Sequence, residues 1–296
     1  MQVSPVICRM VGKLVRKGIV FMGIDRILPA LVAGKPSQYF LCKFIPDNVD
    51  YNQQTIREIE RNGVKFKVDI SDHMQWLIYF GHNIENREAL YELAKNKNTI
   101  LDVGANVGET ALNMAQIAGV KSIVYAIEAN PVTFDSLEFN CYLNPELNIK
   151  RINIGLSDML TTMQVNNRTE RNKGADQLKS LNDQSTENGG AKVDVKTIDY
   201  LIETGELSNN IDLIKIDVEG MEFPVLKGAK KLLENNRPVL FLEFSESNFK
   251  DFGYSGSEVV EYLKSFEYEL ISAKTGIIIE QASQIEEHTD LIALKK

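Results

Sequence analysis

Residues 99–128 constrain the fold most narrowly. An apolar run, Thr99–Val103, ends in Asp102-Val103-Gly104-Ala105-Asn106-Val107-Gly108, and a helical pattern follows over Val107–Ala118. A second apolar run, Ser122–Glu128 (SIVYAIE), ends in an acid. Two buried strands joined by a helix predict a parallel pair, because a parallel pair needs a long crossover. The rhythm continues along the chain. Helix Pro131–Leu143 starts on a proline, whose missing N–H costs nothing at that position. Strands follow at Ile149–Ile154, Asp212–Val218 and Pro238–Phe244, with helices at Glu222–Asn235 and Ser257–Phe266. Tyr268–Ser272, Ile277–Ile279 and Asp290–Leu294 read as closing strands. Alternation of this kind means a mainly parallel sheet covered on both faces.

In such a sheet, ligands bind outside the carboxyl ends of the strands. Gly104 permits a sharp turn there and leaves room for a ligand, and Gly108 lets the next helix pack closely. Asn106 stands where the dinucleotide fingerprint needs its second glycine, the one that admits a pyrophosphate. A ligand without phosphates has less need of that glycine. Glu128, ending the second strand, can accept both hydroxyls of a ribose. The unit therefore reads as a nucleoside pocket, and the glycine spacing favours S-adenosylmethionine (SAM) over NAD. A tight βα turn beside a surface Glu is the plainer alternative.

Composition narrows the remaining classes. The 296 residues are 44% hydrophobic and 25% charged, with a net charge of −8. That balance fits a globular protein able to bury a core without disulfides. It argues against a chain held to nucleic acid by charge. Cys8, Cys42 and Cys141 are widely spaced, His73, His82 and His288 are scattered, and zinc-finger spacing is absent. Three lone cysteines fit a reducing compartment, and the expected location is cytoplasmic. No run reaches the ~18 apolar residues of a membrane span, and no signal peptide is evident.

Two stretches stand apart. Residues 1–35 carry Arg9, Lys13, Arg16, Lys17, Arg26 and Lys35 against the single acid Asp25, with apolar residues at near-helical spacing. They read as one or two basic amphipathic helices. Such helices either cap the main domain or a second subunit, or touch an anionic membrane surface. Residues 158–191 are polar and read as an insertion or flexible hairpin, a lid over the acceptor being one use for it. The expected organisation is an N-terminal extension over 1–63 and a main domain over 64–296. The main domain includes strand Val64–Val68 and helix Asn86–Asn96.

DVGANVGET (102–110), IEANPVTFDSLEFN (127–140), IDLIKIDVEGMEFPVLKGAKKLL (211–233) and FLEFSE (241–246) together resemble the FkbM-type SAM-dependent methyltransferases. The resemblance covers about residues 64–280. Ala129 departs from the family's usual proline after the second strand. The resemblance implies an α/β fold of class I methyltransferase (Rossmann-like) type. That fold is a seven-stranded, mostly parallel sheet with helices on both faces and an antiparallel last strand, here with an N-terminal helical extension. It implies O-methylation of a carbohydrate, glycoconjugate or related small-molecule hydroxyl. By position, Asp102, Gly104, Asn106 and Gly108 would shape the SAM pocket and Glu128 would hold the ribose. Asn130 would lie by the adenine edge, and Ser157-Asp158 fall where the family places adenine contacts.

A sugar hydroxyl also needs a base or a metal. Lys215, Asp217 and Glu219 alternate at the end of one strand, so they point to one face. Glu243 ends the neighbouring strand. Asp217, Glu219 and Glu243 could supply a general base. Alternatively, two or three of them, Asp217 and Glu243 foremost, could hold Mg²⁺ or a similar hard cation. Glu219 capping the next helix is the structural alternative. Lys215, in an apolar strand, needs a carboxylate partner, Asp217 or Glu243. His73 or His82 could line the acceptor pocket, while Trp76 and Tyr79 read as core. Other readings are an RNA or protein methyltransferase on the same fold, a nucleoside-binding scaffold without catalysis, or a nicotinamide dehydrogenase. The acidic charge, the acids at three strand ends and Asn106 count against these readings respectively. A homo-oligomer is possible on this sequence.

Overall fold

A computed structural model describes residues 14–36, 38–82, 84–166, 171–181 and 190–295. It divides into two compact units, residues 1–84 with 169–174, and residues 85–168 with 175–296. The boundary at 84/85 replaces the one expected at 63/64. Strand β1 (Ile56–Arg61) and strand β2 (Val64–Asp69) form one antiparallel hairpin in full register, from Ile56 opposite Asp69 to Arg61 opposite Val64. A cut at residue 63 would split that hairpin.

The first unit holds the hairpin, helix Leu28–Val32 and helix His73–Phe80. The basic N-terminal segment is helical over residues 14–21, as its pattern predicts. Residues 1–13 of that segment lie outside the described residues.

The second unit is built on an eight-stranded sheet. Its strands are β3 (Thr99–Val103), β4 (Ile123–Ile127), β5 (Ile149–Ile152), β10 (Leu213–Ile216), β11 (Val239–Phe244), β12 (Tyr268–Ser272), β13 (Ile278–Ile279) and β14 (Thr289–Lys295). The spatial order is β13-β12-β14-β11-β10-β3-β4-β5. All five residues of β3 are buried, as expected of a parallel strand covered on both faces. Strand β14 runs antiparallel to both β11 and β12. The seven strands of the class I fold are present, and two-residue β13, within the closing strand expected at Ile277–Ile279, adds an eighth at the edge. Chain order reverses between β3 and β10, so their carboxyl ends form the switch point at which α/β sheets open a crevice.

Residues 158–191 are more structured than expected. Strands β7 (Thr161–Asn166) and β8 (Gln177–Ser180) pair antiparallel, and β7 also pairs with β9 (Lys192–Lys196). With β6 (Gly155–Leu156) they form a second sheet in the order β6-β9-β7-β8. Val165, Val193 and Val195 give it a small core. Residues 167–170 and 182–189 of this stretch lie outside the described residues. The expected helix Glu222–Asn235 is two helices, Glu222–Lys227 and Lys230–Asn235. At the break, Gly228 gives its carbonyl to Asp199 N, and the Asp199 carboxylate accepts from Lys231 N and Leu232 N. Asp199 thereby satisfies donors that start the second helix.

Candidate active site

Two strand ends meet at the switch point with almost no space between them. A Cβ on Gly104 would lie 1.8 Å from the Asp217 carbonyl oxygen, and Gly104 has φ +81°. Only glycine fits that turn. The room left by the missing side chain is therefore filled by the β10 backbone, not by a ligand as the sequence suggested. Gly108 does admit close helix packing, since a Cβ there would meet Leu137 Cδ1 at 2.8 Å.

The turn is tied to β4 by Glu128. Its Oε2 accepts from Asn106 N at 2.9 Å and its Oε1 from Asn130 N at 2.8 Å. Asn106 reaches this position in the left-handed region, at φ +49°, which Asn tolerates better than most residues. Each Glu128 oxygen spends one lone pair on the backbone and keeps one for an incoming hydroxyl. That inventory fits the two hydroxyls of a ribose. Burial lifts the Glu128 carboxyl to about 7, although the two backbone N–H groups pull it down.

Asp102 and Lys215 are both buried. Asp102 is fully buried and accepts from Thr110 Oγ1 at 2.5 Å. The Lys215 ammonium sits 3.3 Å from Asp102 Oδ1, 3.3 Å from Asp217 Oδ2 and 2.8 Å from Gly104 O. Gly104 O accepts a hydrogen bond from the ammonium, and the two carboxylates pair with its charge. Burial acts against its charge, but Asp102 and Asp217 outweigh that and hold it above the usual lysine value. Lys215 thus ties the Gly104 turn to Asp102 and Asp217. Of its two expected partners it meets Asp217; Asp102 is the partner the sequence reading did not name.

Asp217, Glu219 and Glu243 do converge, each offering an oxygen within 4.8 Å of the others. Their states differ. Burial would raise Asp217, but Lys215 and Arg87 outweigh it and keep the carboxyl below its ordinary range. Glu243 is pushed well above that range by burial and then by Asp217, Glu222 and Glu219. Its Oε2 is buried without a hydrogen-bond partner. Glu219 takes Asn248 Nδ2 on its side chain and Gln177 Nε2 on its carbonyl, at φ +54°. It does not cap the following helix. Glu222 closes that loop instead, accepting from Val218 N and Gly220 N, and burial lifts it to about 7.

The other expected residues are placed as follows. The Asn130 amide is occupied, its oxygen capping Val132 N and its nitrogen donating to Asp176. Its backbone N–H, on Glu128, is the part that serves the site. Ser157 and Asp158 follow β6 into the second sheet, with Ser157 N on Lys196 O and Asp158 paired to Lys227 at 2.9 Å. Strand β5 ends at Ile152, so the chain has left the main sheet before residue 157. In the first unit, His73 and His82 flank Trp76, and Trp76 donates to Pro46 O.

Several residues escaped the sequence reading. Arg87, paired with Glu109 at 3.1 Å, is charged against its burial by Glu109 and then Asp217. Tyr91 donates to Glu109 as well. Asp290 lies opposite Glu243 in the β11–β14 register and holds Asn86 Nδ2 at 3.0 Å. Only Glu222 had a sequence signal, the second Glu of Lys215-Ile-Asp-Val-Glu-Gly-Met-Glu222.

A β5-β4-β3-β10-β11-β14-β12 order with an antiparallel β14, a glycine turn at the switch point and an acid ending the second strand define a Rossmann-like class I methyltransferase domain. The chain belongs to the methyltransferase FkbM domain family, whose profile matches residues 102–270. It is 33% identical over 148 residues to the hexuronic acid methyltransferase AglP of Haloferax volcanii, covering 49% of this chain and 56% of that protein. It is 33% identical over 155 residues to the methyltransferase sdnD of Sordaria araneosa, covering 44% and 60%. The chain thus spans less than two thirds of the length of these relatives. The crystal structure of a methyltransferase FkbM from Methylobacillus flagellatus superposes with a TM-score of 0.43 at 14% identity, covering 73% of this chain and 52% of that one. No helix among the described residues is long and apolar enough to cross a membrane.

Proposed function

We propose that the protein is a SAM-dependent O-methyltransferase acting on a hydroxyl of a carbohydrate or related small molecule. The observation that carries this reading is Glu128, tied to both the glycine turn and Asn130 N with a lone pair open on each oxygen. Likeness to a hexuronic acid methyltransferase favours a sugar acceptor. SAM, when bound, supplies a methyl group on a good leaving group. The chain's own task is then to align an acceptor hydroxyl and take its proton.

Glu243 is the carboxylate suited to that proton. A base works best with a pKa near the working pH, and Glu243 is raised where Asp217 is lowered, with Oε2 unpartnered. Asp217 is too weak a base, because Lys215 and Arg87 stabilise its ionised form. The test is transfer of label from methyl-labelled SAM to neutral and acidic sugars. Label on oxygen supports the reading; label on RNA or protein only would replace it.

The 4.8 Å convergence of Asp217, Glu219 and Glu243 favours a second reading, a hard divalent cation held there to acidify the acceptor hydroxyl. Glu243 would then be a ligand, not the base. Chelation separates the two: a rate unchanged by EDTA retires the cation.

A further inference from the structure

We infer that residues 14–35 form a docking surface for an anionic lipid bilayer. The segment is apolar on two sides and packs only one of them. Ile19, Leu28 and Val32 are buried. Phe21 is 92% exposed, Leu14 68%, Met22 65%, Ile27 61% and Leu31 48%. Leu14 and Phe21 stand at i and i+7 of the helical stretch 14–21, and Met22, just past its end, still bonds its N–H to Gly18 O, so the three share one outward face. Scattered exposed apolar residues are ordinary, but three on one helical face, one of them a 92%-exposed Phe, mark an interaction surface.

Charge selects the occupant. Lys17, Arg26 and Lys35 are exposed in the same segment and Arg16 is partly exposed. The one acid, Asp25, is buried and paired with Arg57 at 3.6 Å. Arg16 shares a long, 3.9 Å pair with Asp47. The segment thus shows the outside only positive charge, on a chain whose net charge is −8. A second copy docking by the same face would oppose these cations to themselves. An anionic headgroup layer answers both features: it takes the cations at the surface and the apolar stripe just beneath it. With no membrane-crossing helix among the described residues, the segment would lie in the interface plane.

The experiment is co-sedimentation of the full chain with vesicles of phosphatidylcholine alone and with about a third phosphatidylglycerol. The expected result is binding to the anionic vesicles only, weakened at least about fivefold by high salt. Phe21→Asp with Met22→Asp should weaken it more than about tenfold. Lys17→Glu with Arg26→Glu should do the same through charge, at about fivefold or more per residue. Neither pair should change S-adenosylhomocysteine binding, which reports on the second unit. No sedimentation with anionic vesicles overturns the inference. So does sedimentation indifferent to both double variants. A dimer by light scattering that Phe21→Asp dissolves would assign the face to a second copy instead.

Discussion

The Lys215 ammonium donates to the main-chain carbonyl of Gly104 at 2.8 Å, pinning the glycine turn after β3 to the strand that carries the acids. The same ammonium lies between Asp102 and Asp217, each 3.3 Å away. One buried cation therefore joins the glycine turn after β3 to the acid-bearing end of β10. Removing it leaves Asp102 fully buried without its cation. Lys215→Met should cost about 3–5 kcal/mol of stability. Denaturant unfolding checks this, and adding Asp102→Asn should restore part of the loss.

Gly104→Ala tests the contact between the strand ends. A methyl group would fall 1.8 Å from the Asp217 carbonyl, at a φ of +81° that alanine resists. Neither strand end can yield without breaking the backbone bond from Asp217 N to Val103 O. The expected outcome is a protein that melts lower and no longer binds S-adenosylhomocysteine, read by thermal shift with and without ligand.

Glu243→Gln and Asp217→Asn should part company. If Glu243 is the base, its glutamine variant loses about 10²–10⁴ in kcat while ligand affinity holds. The acid side of the pH–rate profile, where wild type loses rate as Glu243 takes up a proton, should flatten in the residual activity. Asp217→Asn also removes a Lys215 partner, so it should lower stability together with rate. Equal effects on kcat with no difference in melting would refute the division of labour.

Glu222 makes the fold pH-dependent. Its carboxyl is raised by burial from the ordinary glutamate value to about 7. The folded protein therefore favours the neutral form. That contribution is complete below the unfolded pKa of ~4.5 and is lost as pH rises through about 7. It amounts to at most about 3 kcal/mol. Wild type should lose stability relative to Glu222→Gln between pH ~5 and ~8, measured by paired melts.

The parts of this site carried by contiguous residues were legible in the sequence. The glycine turn and Glu128 lie within one strand–helix–strand unit, where spacing alone fixes their neighbourhood. The need of Lys215 for an acid also followed from its apolar strand. Its pairing with Asp102 did not, because it depends on β10 lying beside β3 in the register Lys215 opposite Asp102. Asp290 and Arg87 reach the acid cluster the same way, through strand order and packing with no local pattern. The entry of Ser157 and Asp158 into a second sheet was not legible either, since β5 ends at Ile152 and no local pattern marks where the chain turns. Glu219 and Glu222 are alike in sequence. Only the backbone geometry, with Val218 N and Gly220 N aimed at Glu222, separates the loop closer from the site acid.

Glu128 carries the central claim, that this edge of the sheet holds the nucleoside of SAM. The most direct measurement is calorimetric titration of wild type and Glu128→Ala with S-adenosylhomocysteine across pH. The ribose hydroxyls favour the ionised carboxylate, and burial places its pKa at about 7. Wild-type affinity should therefore rise with pH, by about tenfold from pH ~6 to ~8. Glu128→Ala should bind weakly at every pH. No binding by wild type, or equal affinity in the two proteins, would contradict the account.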